Sequence, residues 1–101
     1  MKIEKIIVPQ EKIAEFCQRW EIEEFSLFGS ILRADFNAQS DVDVLVVFAE
    51  KAEIGLFDIA QMQIELEAMY GRPVDVIEKA SLRNPYRREE ILKTAQVVYA
   101  H

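Results

Sequence analysis

Hydrophobic residues recur along the chain with two different periods, and these periods divide it into helices and strands. Pro9 suits a helix start, and it is followed by apolar residues at helical spacing: Ile13, Phe16, Cys17 and Trp20. A second stripe with the same spacing consists of Ile59, Met62, Leu66 and Met69. Gly71 is the expected C-terminal cap of this second helix, and Pro73 lies just beyond it.

Three shorter segments have the composition of strands. EEFSLF (23–28) is rich in aromatic residues and stops at Gly29. Apart from Asp43, residues 42–48 are apolar on both faces of the predicted strand, which predicts a central strand covered on both sides. PVDVIE (73–78) is the third predicted strand, and SILRAD is expected to form a short helical turn between the first two.

A last helix is predicted after Asn84-Pro85, a suitable N-cap and first-turn pair. Its expected buried stripe consists of Ile91, Ala95, Val98 and Tyr99. The predicted order is helix, strand, turn, strand, helix, strand, helix, which gives an α/β (α+β) fold around a small sheet. The chain has 101 residues, a length typical of one domain, so residues 1–101 are expected to form a single domain.

Composition and charge narrow the possible functions. A net charge of −6 argues against a module that binds nucleic acid directly, because such modules carry a basic face. No secretory signal opens the chain, and no apolar run reaches the roughly 18 residues of a membrane span, so no membrane association is expected. The single cysteine rules out an internal disulfide. We therefore expect a soluble, cytoplasmic protein.

Two carboxylates stand at the start of the most apolar segment. Asp41 and Asp43 are two residues apart, so in a strand they project from one face with Cα atoms about 6.5 Å apart. Since ionised carboxylates so close together repel each other, a divalent cation such as Mg²⁺ is the simplest way to keep both charged. A third carboxylate, Asp75, lies in the next predicted strand. Three acids at neighbouring strand ends are what a two-metal phosphoryl-transfer site requires.

The Gly29-Ser30 pair is a candidate phosphate site. A glycine that ends a strand and a serine that opens a helix expose backbone N–H groups to an anion. The Ser30 hydroxyl can donate to a phosphate oxygen, and Arg33 could reach the phosphate tail. Ser40 is expected to cap the turn and orient Asp41. Each feature also occurs in ordinary turns and solvated helices, so the hypothesis depends on their joint arrangement.

This arrangement resembles the minimal nucleotidyltransferase (MNT) domains of the DNA polymerase β superfamily. Their signature is Gly-Ser, a short helix carrying Arg, and Ser-Asp-x-Asp, matched here by Gly29, Ser30, Arg33, Ser40, Asp41 and Asp43. Asp75 matches the third acid of the family. The resemblance continues through GLFDIAQMQIELEAMYGRPVDVI and SLRNPYRREEIL, and its one departure is Ala34 where the family often has glycine.

The resemblance implies a polymerase β-like fold, a small mixed sheet covered by helices. Its first two strands would be antiparallel, with Gly29 beside Asp41, and its third would run parallel to the second, with Asp75 beside Asp43. All three acids would hold Mg²⁺, two ions when nucleotide is bound, and Asp75 would help to deprotonate the acceptor. Gly29 and Ser30 would hold the triphosphate of ATP or another NTP. The implied reaction transfers a nucleoside monophosphate to a hydroxyl group and releases pyrophosphate.

The resemblance also implies a partner. Such proteins typically pair with a HEPN-domain protein in toxin–antitoxin modules, and some MNT antitoxins adenylylate a tyrosine of the HEPN ribonuclease. The leading hypothesis is therefore a protein adenylyltransferase antitoxin. One alternative is a catalytically idle antitoxin that acts by contact. Another is a small-molecule nucleotidyltransferase, in which the second copy of a homodimer could supply the wall of the acceptor site that larger members of the superfamily build from a second domain. The basic segment RNPYRR (83–88) is either a solvated helix start or a contact to partner or nucleotide.

Overall fold

The computed structural model of this protein describes residues 8–32 and 40–101. Its helices and strands are α1 (Gln10–Arg19), β1 (Ile22–Phe28), β2 (Val42–Phe48), α2 (Leu56–Tyr70), β3 (Val74–Glu78), α3 (Pro85–Thr94) and β4 (Gln96–Ala100). Short 3₁₀ segments, Gly29–Leu32 and Lys79–Ser81, follow β1 and β3. The predicted order is confirmed as far as α3. No helix within the described residues has the length and apolar character needed to cross a bilayer.

The four described strands form one mixed sheet in the order β3-β2-β1-β4. β1 runs antiparallel to both of its neighbours, and β2 runs parallel to β3. This is the mixed sheet that the resemblance implied, with β2 in the interior as its apolar composition predicted. The parallel strands β2 and β3 are connected through the helix α2, a crossover of the length that parallel strands need.

The main core lies between one sheet face and the first two helices. Alternate residues of β2, Val42, Val44 and Val46, are fully buried on this face. Phe16 of α1 packs edge-to-face on Phe25 of β1, with ring centroids 6.2 Å apart. The predicted stripes of both helices enter this core, with Ile13, Phe16 and Cys17 from α1 and Met62 and Leu66 from α2.

A second, smaller cluster covers the opposite face of the sheet. It consists of Phe28, Leu45, Leu82 and Ile91, so α3 covers this face. Because strand residues alternate in direction, Asp43 shares this face with Leu45 rather than with the valines of the main core. The candidate catalytic residue on β2 therefore lies on the α3 side of the sheet.

The helix ends follow the local chemistry that the sequence predicted. Gly71 adopts a left-handed conformation (φ +70°) at the C-terminus of α2, and its N–H donates to the carbonyl oxygen of Glu67. The Asn84 side-chain oxygen accepts the N–H groups of Tyr86 (3.0 Å) and Arg87 (3.2 Å) at the start of α3. These caps fix where α2 stops and where α3 enters the second face.

The C-terminal segment corrects one prediction, because Val98 and Tyr99 belong to a strand and not to the last helix. α3 ends at Thr94, and β4 pairs antiparallel with β1, with Tyr99 opposite Phe25. The QVVYA segment contains β-branched and aromatic residues, which favour strands, and it pairs with the edge of β1 that β2 does not occupy. Gln10 of α1 also donates to the carbonyl oxygen of Val98 (2.9 Å) and ties the strand to the first helix.

Candidate active site

The strand register brings two of the three predicted acids together. Asp43 of β2 is the direct parallel partner of Asp75 of β3, which confirms the expected placement of Asp75. Adjacent strands are roughly 4.8 Å apart, and partners in register project to the same face. On the other side of β2, Asp43 is paired with Phe28, the last residue of β1. The two carboxylates therefore share one face, beside the end of β1.

Gly29 follows Phe28 and lies directly against Asp43. Its φ of +76° is a left-handed conformation that favours glycine, and a Cβ at this position would overlap the Oδ2 atom of Asp43. The resemblance had placed Gly29 beside Asp41, and the structure corrects this to Asp43, because Phe28 pairs with Asp43 in the sheet. Glycine is thus required at residue 29 by both backbone conformation and space.

Asp41 lies at the entrance to β2, one residue before the strand begins, and is exposed. This entrance is held by the turn after α2. The Arg72 Nη1 donates to the carbonyl oxygen of Ser40 (3.2 Å), and the Val42 N–H donates to that of Pro73 (3.0 Å). The role of Arg72 was missed by the sequence reasoning. Its only signal was its position between the capping Gly71 and Pro73.

The remaining predicted phosphate ligands belong to the segment after β1. Ser30 is the second residue of the 3₁₀ segment Gly29–Leu32, so the predicted helical turn after Gly29 is present. Arg33 lies outside the described residues. The Gly-Ser turn therefore begins at the edge of the sheet where Asp43 and Asp75 meet.

Two adjoining cavities open beside Gly29 on the α3 side. Both are lined by Gly29, Glu90 and Thr94, and their volumes are about 590 Å³ and 200 Å³. Arg87 lines the smaller cavity, whereas Arg88 donates to the carbonyl oxygen of Lys79 (3.1 Å). The basic segment of residues 83–88 thus contributes one arginine to the cavity wall and one to α3 anchoring. Glu90 was not predicted, since one acid on an exposed helical turn carries no sequence signal.

The carboxylates at this end of the sheet offer the oxygen ligands that a magnesium ion prefers. Within the part of the chain that the structure describes, no group of three or more His, Cys, Asp or Glu side chains is positioned to hold a metal ion. Mg²⁺ typically takes one or two carboxylates and fills its other positions with water and substrate phosphate. The paired Asp43 and Asp75, with Asp41 at the strand entrance, offer only oxygen ligands and fit that requirement.

Two groups with shifted pKa values, Cys17 and Tyr70, lie in the main core. Burial raises the pKa of the Cys17 thiol to about 12, and burial followed by the nearby Cys17 raises the pKa of Tyr70 to about 12. Burial alone would raise the pKa of Glu65, but hydrogen bonds from Trp20, Arg19 and Gln61 lower it overall. Cys17 is therefore a protonated core residue, as its position on the helical stripe predicted.

A mixed sheet with two aligned acids, and a Gly-Ser turn packed against them, defines the nucleotidyltransferase class of folds. The chain belongs to the nucleotidyltransferase domain family, whose model matches residues 10–98, and it is of the minimal (MNT) type. It is accordingly a nucleotidyltransferase.

Relatives of this chain have names that agree with the family. The Thermococcus cleftensis protein adenylyltransferase MntA is 35% identical over 83 residues, covering 82% of this chain and 80% of its own length. A Methanocaldococcus jannaschii protein, provisionally named a protein adenylyltransferase, is 30% identical over 90 residues, covering 89% and 88%.

Solved structures show the same fold. A protein provisionally described as a minimal nucleotidyltransferase is 31% identical, with a TM-score of 0.75 and 95% of each chain covered. A complex of a tri-AMPylated Shewanella oneidensis HEPN toxin with an MNT antitoxin is 15% identical, with a TM-score of 0.65. It covers 91% of this chain and 70% of that chain, and this likeness concerns the fold alone.

Proposed function

We propose that this protein is a Mg²⁺-dependent protein adenylyltransferase that moves AMP from ATP to a hydroxyl group of a partner protein. The observation that carries this proposal is the register that sets Asp43 beside Asp75 while Gly29 packs against Asp43. In this account, Asp41, Asp43 and Asp75 are the catalytic acids. Residues 1–101 act as one cytoplasmic nucleotidyltransferase domain.

The phosphate chain of ATP is assigned to the turn after β1. Gly29 has no side chain, so phosphate oxygens can approach its backbone closely, and it opens the 3₁₀ segment Gly29–Leu32. Ser30 and Arg33 add a hydroxyl donor and a cation, and Ser40 positions the entrance of β2. The carbonyl oxygen of Ser40 is held by Arg72, so the segment that leads into Asp41 is anchored.

Asp41, Asp43 and Asp75 would hold the magnesium ions, which neutralise phosphate charge and stabilise the leaving pyrophosphate when bound. The acceptor oxygen forms a bond to the α-phosphorus of ATP, and the bond from that phosphorus to the pyrophosphate oxygen breaks. Asp75 lies on the exposed edge of this pair and accepts the proton of the acceptor hydroxyl. Positioning and electrostatic stabilisation supply most of the acceleration in this kind of reaction.

The partner is assigned as a HEPN-domain protein, with this chain as the antitoxin. Support comes from the relatives, because the MntA protein is named a protein adenylyltransferase and the Shewanella antitoxin was solved with an AMPylated HEPN toxin. The exposed position of Asp75 and the open cavities beside Gly29 leave room for an acceptor from another chain. A small-molecule acceptor would leave the same acids in use, but in the experiment below the wild type would then leave the HEPN partner unlabelled.

The test is incubation with Mg²⁺ and α-labelled ATP, with and without a co-purified HEPN partner. Wild type is compared with Asp41→Ala/Asp43→Ala and with Asp58→Asn, a carboxylate on the α2 side of the sheet. We expect wild type and Asp58→Asn to label the partner and the double variant to leave it unlabelled. If the double variant does not label the partner but still neutralises it fully, the protein is instead an antitoxin that acts by contact alone.

A further inference from the structure

One face of α2 is apolar and uncovered, although its opposite face is already buried in the main core. The exposed face carries Leu56 and Phe57, which are 88% and 93% exposed, and Ile64, which is 60% exposed. Soluble proteins rarely leave three large apolar side chains together on one helix face without a partner. α2 is therefore apolar on two sides, which is typical of a helix that is buried on both.

The exposed residues follow the geometry of a packing ridge. Leu56, Ala60, Ile64 and Ala68 are each four residues apart, and such rows form the ridges that interlock between packed helices. The ridge alternates large and small side chains along its length, and Phe57 lies beside its first member. Alanines at two of the four positions allow a second helix to approach closely.

The ridge is complementary to itself when two copies run antiparallel. A two-fold axis between Ala60 and Ile64 places Leu56 of one chain against Ala68 of the other, and Ala60 against Ile64. Leu56 and Ile64 then each meet an alanine, twice, as an interface with two-fold symmetry requires, and Phe57 lies opposite Glu67 of the other chain.

The acids of α2 each accept a hydrogen bond or form an ion pair within their own chain. The Asp58 carboxylate accepts the Gly55 N–H (2.9 Å), and Glu67 accepts the Val74 N–H (3.1 Å). Glu65 is paired with Arg19 (2.8 Å) and accepts a hydrogen bond from Trp20. The exposed face thus offers a partner an apolar contact, with the exposed carboxylate of Glu67 beside it.

The available area is consistent with a dimer. The three large side chains expose on the order of 400 Å² per chain, which is within the range of functional apolar patches. Two such patches, with the alanines and polar residues around them, reach the roughly 1,000 Å² needed by a specific interface. The face lies on the α2 side of the sheet, so pairing leaves Asp43 and the α3 side open.

We propose that this protein forms a two-fold homodimer through the exposed ridge of α2. The inference concerns assembly and stands whether or not the chain transfers AMP. It is tested by sedimentation velocity over a protein concentration series, with each variant first checked for an unchanged far-UV circular dichroism spectrum. The ridge variants are Ile64→Glu within the ridge and Phe57→Ser directly beside it, with Tyr86→Ser on α3 as the control, since Tyr86 is 84% exposed.

We expect wild type and Tyr86→Ser to dimerise alike, and each ridge variant to weaken the dimer on the order of 100-fold. Because each copy has a net charge of −6, added NaCl should strengthen the dimer, whereas it would weaken docking onto a basic partner. Ala68→Leu should weaken the dimer, and Leu56→Ala/Ala68→Leu should restore it by exchanging large and small positions.

Three results would overturn the proposal. One is a monomeric wild type at every concentration and salt. Another is a dimer that the ridge variants leave intact. The third is that the ridge variants abolish the binding of a HEPN protein and leave self-association unchanged, which would assign the face to that partner.

Discussion

At the scale of single residues, the site depends on a glycine as much as on its acids. Gly29 combines a left-handed backbone with a contact to Asp43 that leaves no room for a Cβ. Gly71 has nearly the same backbone conformation (φ +70°), but a Cβ there would meet nothing within 4 Å. A comparison of the two glycines therefore separates the cost of backbone strain from the cost of displacing the Asp43 carboxylate.

We predict that Gly71→Ala lowers the free energy of unfolding by about 1–2 kcal/mol, the cost of a left-handed L-residue, and leaves AMP transfer intact. Gly29→Ala should lose more stability and also lose transfer, because the new methyl group displaces Asp43. Urea unfolding and label transfer, measured on both variants, check this. Equal transfer by the two variants would show that the contact between Gly29 and Asp43 has no role in the reaction.

A second residue-scale prediction concerns alkaline pH. The pKa of Cys17 is raised from 9.0 to about 12 in the folded state, so the unfolded chain loses this proton first. The stabilisation is fully present below pH 9 and is lost as the pH rises from 9 to about 12. We expect Cys17→Ala to be destabilised at neutral pH, with its deficit relative to wild type shrinking across this range. A deficit that stays constant in urea titrations at each pH would contradict the account.

At the scale of elements, the sequence predicted the three α-helices and three of the four strands that the described residues form. Helical spacing, a C-terminal glycine and an Asn-Pro start are local signals, and each matched its element. β4 was missed because its residues satisfy a helical stripe equally well, and only the open edge of β1 decides in favour of a strand. The Arg72 contact was likewise invisible, since it joins residues 32 positions apart.

Two neighbouring valines test the strand β4. Val98 packs against the main core, whereas Val97 is 57% exposed. We predict that Val98→Asp destabilises the fold by about 2 kcal/mol or more, because it buries a charge, and that Val97→Asp changes the free energy of unfolding by less than about 0.5 kcal/mol. Thermal or urea unfolding of the two variants gives the comparison. Similar losses from both would be inconsistent with a strand that exposes one valine and buries the next.

The N-cap of α3 is a further element-scale test, because this helix carries the wall of the cavities beside Gly29. Asn84→Ala removes the acceptor for two N–H groups and should cost about 1 kcal/mol of stability. Asn84→Asp keeps the acceptor and should retain most of the stability. Urea midpoints decide this, and a loss by the aspartate variant equal to that of the alanine variant would argue against a capping role.

At the scale of the whole molecule, the sheet separates two activities. Its α3 side holds the acids, the Gly-Ser turn and the cavities, and its α2 side holds the main core and the exposed ridge. The sequence could point to the residues that we propose carry the chemistry, because Asp-x-Asp and Gly-Ser are local patterns. It could not predict that Gly29 lies against Asp43, since this follows from the pairing of two strands.

The most direct test of the central claim is the single-turnover rate of AMP transfer by Asp43→Asn and Asp75→Asn, each with the partner and Mg²⁺. Asparagine keeps the size of the side chain and removes its charge, so the fold should be preserved and the rate alone should change. The account predicts that both variants lose transfer by at least about 100-fold, while Asp58→Asn on α2 keeps the wild-type rate. Wild-type rates for Asp43→Asn and Asp75→Asn would show that the paired acids are not the site of the reaction.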